Sequence, residues 1–160
     1  MGLVRIRKIN EDEYDVFAKV CADAFSDKKE RFPYRGAFID KRLLEIDCSI
    51  GRQLFGAFDG DEPAGLLEIG TDDDFNCVIY IIAVDKKFRG GSIGSGFIDF
   101  AIYKAQNSGM EHVVSKIFPE DLKLRDWFYK RGFFMDSDGN LKISVKEASH
   151  GCGHCGFNEK

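Results

Sequence analysis

Apolar and polar positions alternate with period two at the start of the chain. In "LVRIRKI", Leu3 to Ile9, Val4 and Ile6 alternate with Arg5 and Arg7, as in a strand that buries one face. Asn10 and Glu13 then have capping-box spacing, and Tyr14, Phe17, Ala18, Cys21 and Phe25 recur at helical spacing, which predicts an amphipathic helix to about Ser26. "SDKKERFPYRG" is polar and holds Pro33 and Gly36, so it reads as an irregular connection before a second helix carrying Phe38, Leu43, Leu44 and Ile46. "RQLFGAFD", "AGLLEIG" and "NCVIYIIAV", separated by "GDEP" and "TDDDF", predict three successive antiparallel strands.

A glycine-rich stretch, "VDKKFRGGSIGSG" from Val84 to Gly96, follows the third of these. Beyond it Gly94, Ile98, Ala101, Ile102 and Ala105 line one face of a helix that "NSGM" stops. "EHVVSKI" reads as a strand. Pro119 suits the first turn of a further helix whose core residues are Leu124, Trp127 and Phe128, and Gly132 ends it. "FFMD" and "NLKISV", joined by "SDG", predict a hairpin. The fold class is α/β, a mixed, mostly antiparallel sheet with helices on its faces. A domain over residues 1–147 precedes a Cys/His-containing tail, 148–160.

A chain of 160 residues with 44% hydrophobic and 13% aromatic content can bury a core of single-domain size. Its net charge of −4 and the lack of a basic patch argue against nucleic acid as partner. "CVIYIIAV" is too short to span a bilayer and "MGLVRIRKI" lacks the apolar core of a signal peptide, so a cytoplasmic protein without membrane contact is expected. Five cysteines, an odd number, do not suggest a disulfide framework; Cys21, Cys48 and Cys77 read as small core residues.

Glycines between a strand and a helix let backbone N–H groups approach a ligand at the positive end of the helix dipole, and the fitting ligand is a phosphate. "RGGSIGSG" has no Lys-Ser or Lys-Thr ending, so it is not a nucleotide triphosphate loop. Gly91, Gly94 and Gly96 have the wrong spacing for a dinucleotide turn.

The stretch Arg89-Gly90-Gly91-Ser92-Ile93-Gly94 after "IIAV" resembles the signature of the GNAT family of acyl-coenzyme A dependent N-acetyltransferases: Arg or Gln, two residues, Gly, one residue, Gly or Ala, after a strand ending in Val. Ser92 replaces the middle Gly. "WFYKRGFF" resembles the family's later "LYxKxGF", and the element order is similar from Leu3 to about Val145. The resemblance implies transfer of an acetyl group from acetyl-coenzyme A to a primary amine of a small molecule or peptide. Arg89, Gly90, Gly91, Ser92, Ile93, Gly94 and Ser95 would hold the pyrophosphate, with the Arg89 guanidinium meeting its charge. The backbones of Ile82, Ala83 and Val84 would pair with the pantetheine arm as an added strand would. Ser92 would be strained in a left-handed conformation; its hydroxyl could instead donate to a phosphate oxygen.

The family's proton donor to the leaving thiolate is the Tyr of "LYxKxGF", placed here on Tyr129; a Tyr packed at the rim of the core is the bland alternative. Counting back from Tyr129, the family's frequent Asn falls on Leu122 and its small residue on Arg125. "YIIAV" carries no carboxylate where the family often has its base. Glu68 on the preceding strand is the remaining candidate, acting directly or through a water that Tyr80 would position, but an outward-facing strand residue is the favoured reading and no base is assigned. "TDDDF" could attract a cation and reads more simply as a solvated turn. "RFPYRG" and the first helices would form the acceptor site, with Phe32 and Tyr34 as apolar walls or as core. A coenzyme A-binding sensor or interaction module without efficient transfer is the competing function.

In the tail, Cys152 and Cys155 have the C-x-x-C-G spacing of a zinc knuckle, with His150 and His154 nearby. Further ligands could come from another subunit of a homodimer. Redox use of "CGHC" and a tail that binds no metal are the alternatives.

Overall fold

The computed structural model describes residues 4–28, 38–116 and 121–146, and the backbone of 156–158. Strand β1 (Val4–Lys8) pairs antiparallel with β2 (Gln53–Asp59), β2 with β3 (Glu62–Thr71), and β3 with β4 (Cys77–Val84). β5 (His112–Ser115) joins β4 in parallel. A hairpin of β6 (Phe134–Met135) and β7 (Leu141–Ser144) completes that side, β7 antiparallel to β5. β8 (Gly156–Asn158), not foreseen from the sequence, runs parallel to β1. The eight strands lie in the order β6-β7-β5-β4-β3-β2-β1-β8, so the expected mixed, mostly antiparallel sheet is what forms.

Helices cover both faces. α1 (Tyr14–Ala24) and α2 (Lys41–Ser49) lie on one side, where Phe17, Leu44, Leu66 and Ile81 share a buried cluster. α3 (Ile93–Asn107) and α4 (Leu122–Tyr129) lie on the other, around Leu67, Ile79, Phe97, Phe100 and Phe128. Phe55 and Phe100 meet edge to face at 4.6 Å. Each fully buried Phe contributes about 1.5–3 kcal/mol, so these two layers hold the helices against the sheet.

The capping box is present. Glu13 accepts the Asn10 backbone N–H at 2.9 Å, and a 3-10 turn, Glu11–Glu13, leads into α1. Glu13 also takes both Nη groups of Arg7, at 2.9 and 2.8 Å, which ties the helix start to β1. In the "TDDDF" turn Asp72 Oδ1 accepts the N–H groups of Asp74 and Asn76, so that carboxylate stabilises the turn itself.

α2 starts later than expected, after Phe38. Phe38 precedes the helix and is exposed, and Ile46 is also exposed, whereas Leu44 and Asp47 are buried, with Leu43 and Cys48 packed beside them. Residues 43, 44, 47 and 48 form one i, i+3, i+4 stripe. Apolar content alone had hidden it, because one member is an Asp whose charge is met by Arg52.

Candidate active site

β4 changes character halfway along. Its first residues pair with β5 through Cys77–Val113, Val78–Val114 and Ile79–Ser115; among the described residues nothing pairs with Tyr80 to Val84 on that side. On the β3 side, Glu68 faces Ile81 but Ile69 faces Ile79, so Tyr80 is the extra residue of a bulge. The bulge switches face parity. Cys77 and Ile79 before it, and Ile82 and Val84 after it, all turn toward the α3 side, while Ile81 and Ala83 turn toward α1. Pairing with β5 ends at Ile79, which leaves on that side a stretch of backbone able to accept an extended, amide-bearing ligand. Ile82, Ala83 and Val84 lie in that stretch.

The glycine-rich loop follows at once. Asp85 accepts the Lys87 N–H at 2.9 Å to cap a 3-10 turn, Lys86–Phe88. Gly90 then turns the chain at φ +83°, which favours glycine. Ser92 has φ −93° and ψ 0°, a right-handed conformation, so the serine carries no left-handed strain, and its side chain makes no cap hydrogen bond. The Gly96 N–H bonds the Ser92 carbonyl at 2.8 Å, so the N–H groups of Ile93, Gly94 and Ser95 precede the helical ladder at the positive end of α3. The Ile93 side chain is core and only its backbone can serve a ligand. A Cβ on Gly94 would lie 3.0 Å from the Trp127 ring, so this glycine also lets α4 approach α3.

Two arginines stand differently from expectation. The Arg89 guanidinium hydrogen-bonds the carbonyls of Val84 and Ala24, stitching the loop to the ends of β4 and α1. Arg131, not singled out in the sequence, donates from Nε and Nη2 to Ser95 Oγ at 3.2 and 2.8 Å and from Nη1 to the Trp127 carbonyl at 2.9 Å, with its guanidinium 3.7 Å from the Trp127 ring centroid. The signal was the i, i+4 spacing of Trp127 and Arg131. Burial pushes the Arg131 pKa down, against an opposing pull from Asp99.

Glu68 is not outward-facing. It is fully buried, and its Oε2 accepts from Arg52 at 3.2 Å. Arg52 also reaches Asp47 at 3.6 Å and stacks on Tyr80, 3.6 Å from the ring centroid. This cluster connects α2, β3 and the bulge of β4. A carboxylate can be buried there because a guanidinium meets it, and a pattern of strand alternation shows only the position, not the partner.

On α4, Phe128 is fully buried and packs edge to face on Trp127 and Phe133. Tyr129, the last residue of the helix, is exposed, with the Arg125 guanidinium 5.6 Å from its ring centroid. Gly132 fixes the register: in "LYxKxGF" the Tyr stands four residues before the Gly, a position held here by Phe128, and Tyr129 falls one residue later. Leu122 is exposed at the start of α4.

Among the described residues no group of three or more His, Cys, Asp or Glu could hold a metal, and no helix is long and apolar enough to cross a membrane. Cys152 and Cys155, with His150 and His154, lie outside the described residues, as do Phe32, Tyr34 and Pro119.

Comparison with known proteins bears on this arrangement. No curated protein sequence matches the chain. Solved structures share its fold at low identity. The PaiA N-acetyltransferase from Thermoplasma acidophilum, in complex with coenzyme A, superposes with a TM-score of 0.68 at 12% identity, covering 88% of this chain and 97% of its own. The ribosomal-protein-S18-alanine N-acetyltransferase from Escherichia coli gives 0.71 at 12% identity, over 94% and 98%. An N-acetyltransferase from Staphylococcus aureus Mu50 gives 0.71 at 16%, over 90% and 99%. The family described as "Acetyltransferase (GNAT) family" matches residues 5–133, from β1 to the residue after Gly132. The chain therefore belongs to the GNAT acetyltransferase family.

Proposed function

We propose that the protein transfers an acetyl group from acetyl-coenzyme A directly to a primary amine of a small molecule or peptide. The observation that carries this is the succession of two features: the β5 side of β4 from Tyr80 to Val84, which no described strand pairs, runs straight into the loop that leads to the first amides of α3. An extended diamide arm fits beside the first, and a pyrophosphate fits the second. Ile82, Ala83 and Val84 would hold the arm; Gly90, Gly91, Ser92, Ile93, Gly94 and Ser95 would hold the pyrophosphate, with Arg89 as the clamp that shapes the loop.

Bound acetyl-coenzyme A supplies the acetyl group as a thioester. An alkylamine with a pKa of about 10.4 must lose a proton before its nitrogen can attack the acyl carbon. Tyr129 is the proposed donor to the sulfur as the C–S bond breaks. Glu68, held by Arg52, is a positioning residue in this reading rather than a base.

A second reading is a coenzyme A-binding sensor or interaction module. It is favoured by Phe128 in the register of the family's Tyr and by a β4 without a carboxylate. A screen of amines with detection of released thiol separates the two: turnover on any acceptor supports transfer, and binding of acetyl-coenzyme A without release of thiol on any of them overturns it.

A further inference from the structure

An arginine beside the first turn of a helix is electrostatically misplaced. The helix start already carries about half a positive charge, and cations belong at the other end. Arg131 nevertheless holds Ser95, the third residue of α3, by two hydrogen bonds. The desolvation that lowers its pKa adds to the cost of keeping the charge there. Asp99, one turn further along α3, offsets part of it. An arrangement that concentrates positive charge in this way is relieved when an anion sits among the same groups.

We infer that Arg131 is the cationic contact of the pyrophosphate site, the role that the family signature suggests for Arg89. This rests on the reading that acetyl-coenzyme A lies on the loop of residues 90–95. Arg89 uses Nε and Nη2 on the Val84 and Ala24 carbonyls, which holds its guanidinium at the ends of β4 and α1. Arg131 is fixed on three sides, by Ser95 Oγ, the Trp127 carbonyl and the Trp127 ring, so little side-chain freedom is left to lose when an anion arrives. A guanidinium has five N–H groups. Three are engaged by these bonds, which leaves one on Nη1 and one on Nη2 for a phosphate oxygen. Ser95 Oγ accepts from Arg131 and keeps its own hydrogen as a further donor. Arg131 and Ser95 form one donor unit beside the first amides of α3, and Gly94 lets the Trp127 ring bring that unit close.

The test compares two ligands on three variants of the full chain. Arg131→Gln removes the charge. Arg131→Met removes it while keeping an apolar stem over Trp127. Ser92→Asp, a residue suited to a helix N-cap, places a negative charge in the loop itself. Calorimetric affinity is measured for acetyl-coenzyme A, and the KM for S-acetylpantetheine, which has the arm but no pyrophosphate, is measured with an accepting amine or by competition with acetyl-coenzyme A. Melting temperature is recorded for each. Both Arg131 variants should weaken acetyl-coenzyme A by about tenfold or more, as loss of a charge-assisted phosphate contact does, with S-acetylpantetheine unchanged. If Ser92→Asp weakens acetyl-coenzyme A while the Arg131 variants leave it unchanged, the loop reading stands and the assignment of Arg131 is overturned. Equal weakening of both ligands in the Arg131 variants, with a lowered melting temperature, makes Arg131 a packing residue and likewise overturns it. No effect of Ser92→Asp removes the loop reading, and this inference with it.

Discussion

The Arg52 guanidinium lies 3.6 Å from the centroid of the Tyr80 ring while hydrogen-bonding the buried Glu68 at 3.2 Å. Tyr80 is the bulged residue at which β4 parts from β5, so this pair connects a buried ion cluster to the point where pairing between the two strands ends. Arg52 is thus placed to hold the bulge in one geometry.

Arg52→Met should therefore destabilise the fold by about 3 kcal/mol, because it leaves the Glu68 and Asp47 carboxylates without this guanidinium in a buried setting. Urea unfolding measures it. Arg52→Met combined with Glu68→Met should recover part of the loss, since removing both members of a buried pair costs less than removing one. A single variant as stable as the parent would show that the cluster does not hold the bulge.

Arg89→Gln should cost about 1 kcal/mol of stability, because it removes guanidinium bonds to two carbonyls on an exposed side chain. Its effect on affinity for acetyl-coenzyme A should be smaller than that of Arg131→Gln. Calorimetry on the two variants side by side checks the ranking, and a larger loss in Arg89→Gln would return the anion contact to Arg89.

Much of this was legible in the sequence because the signals were local. A period-two run marked β1, apolar runs bounded by turn residues marked β2 to β4, and the glycines after Val84 marked the turn into α3. The capping box at Asn10 and Glu13 is present as read, since both partners lie within one turn of chain. What was not legible depends on residues brought together from afar. Glu68 looked solvated because its partner Arg52 lies sixteen residues away on the neighbouring strand's approach. The inward turn of Asp47 was hidden for another reason: its partner Arg52 is near in sequence, but a charged residue interrupts the apolar stripe of α2. The Arg131 contact with Ser95 spans thirty-six residues and two helices, and no periodicity encodes it. β8 was missed because its three residues gain strand geometry only by pairing with β1.

Glu13 gives a pH prediction. Hydrogen bonding to Arg7 holds its pKa below the ordinary 4.5, against an opposing effect of burial. A carboxyl whose folded pKa is lowered stabilises the fold above the unfolded value and loses that contribution as pH falls through the folded one. The melting temperature should therefore hold from neutral pH to about 4.5 as far as this group is concerned, then fall. In Arg7→Gln the acid-side slope should be shallower, and the neutral-pH melting temperature lower. Parallel pH curves for the two proteins would remove the pair from the account of α1.

Tyr129→Phe tests the proton donor. The change keeps the ring over which Arg125 sits and removes only the hydroxyl, so folding and cofactor affinity should be preserved. If Tyr129 protonates the leaving sulfur, turnover on an accepting amine should fall by about 10²-fold with the KM for acetyl-coenzyme A little changed. The loss should shrink for a thioester whose thiol is more acidic, since such a leaving group needs less proton donation, and that dependence is what a merely structural tyrosine would not show. Phe128→Tyr should not rescue the variant, because Phe128 is closed in between Trp127 and Phe133 and a hydroxyl there would have to find a partner within the core. An unchanged turnover number in Tyr129→Phe would assign the tyrosine to the exposed end of α4. It would also mean that the one-residue offset from the family's motif has left sulfur protonation to water or to another donor.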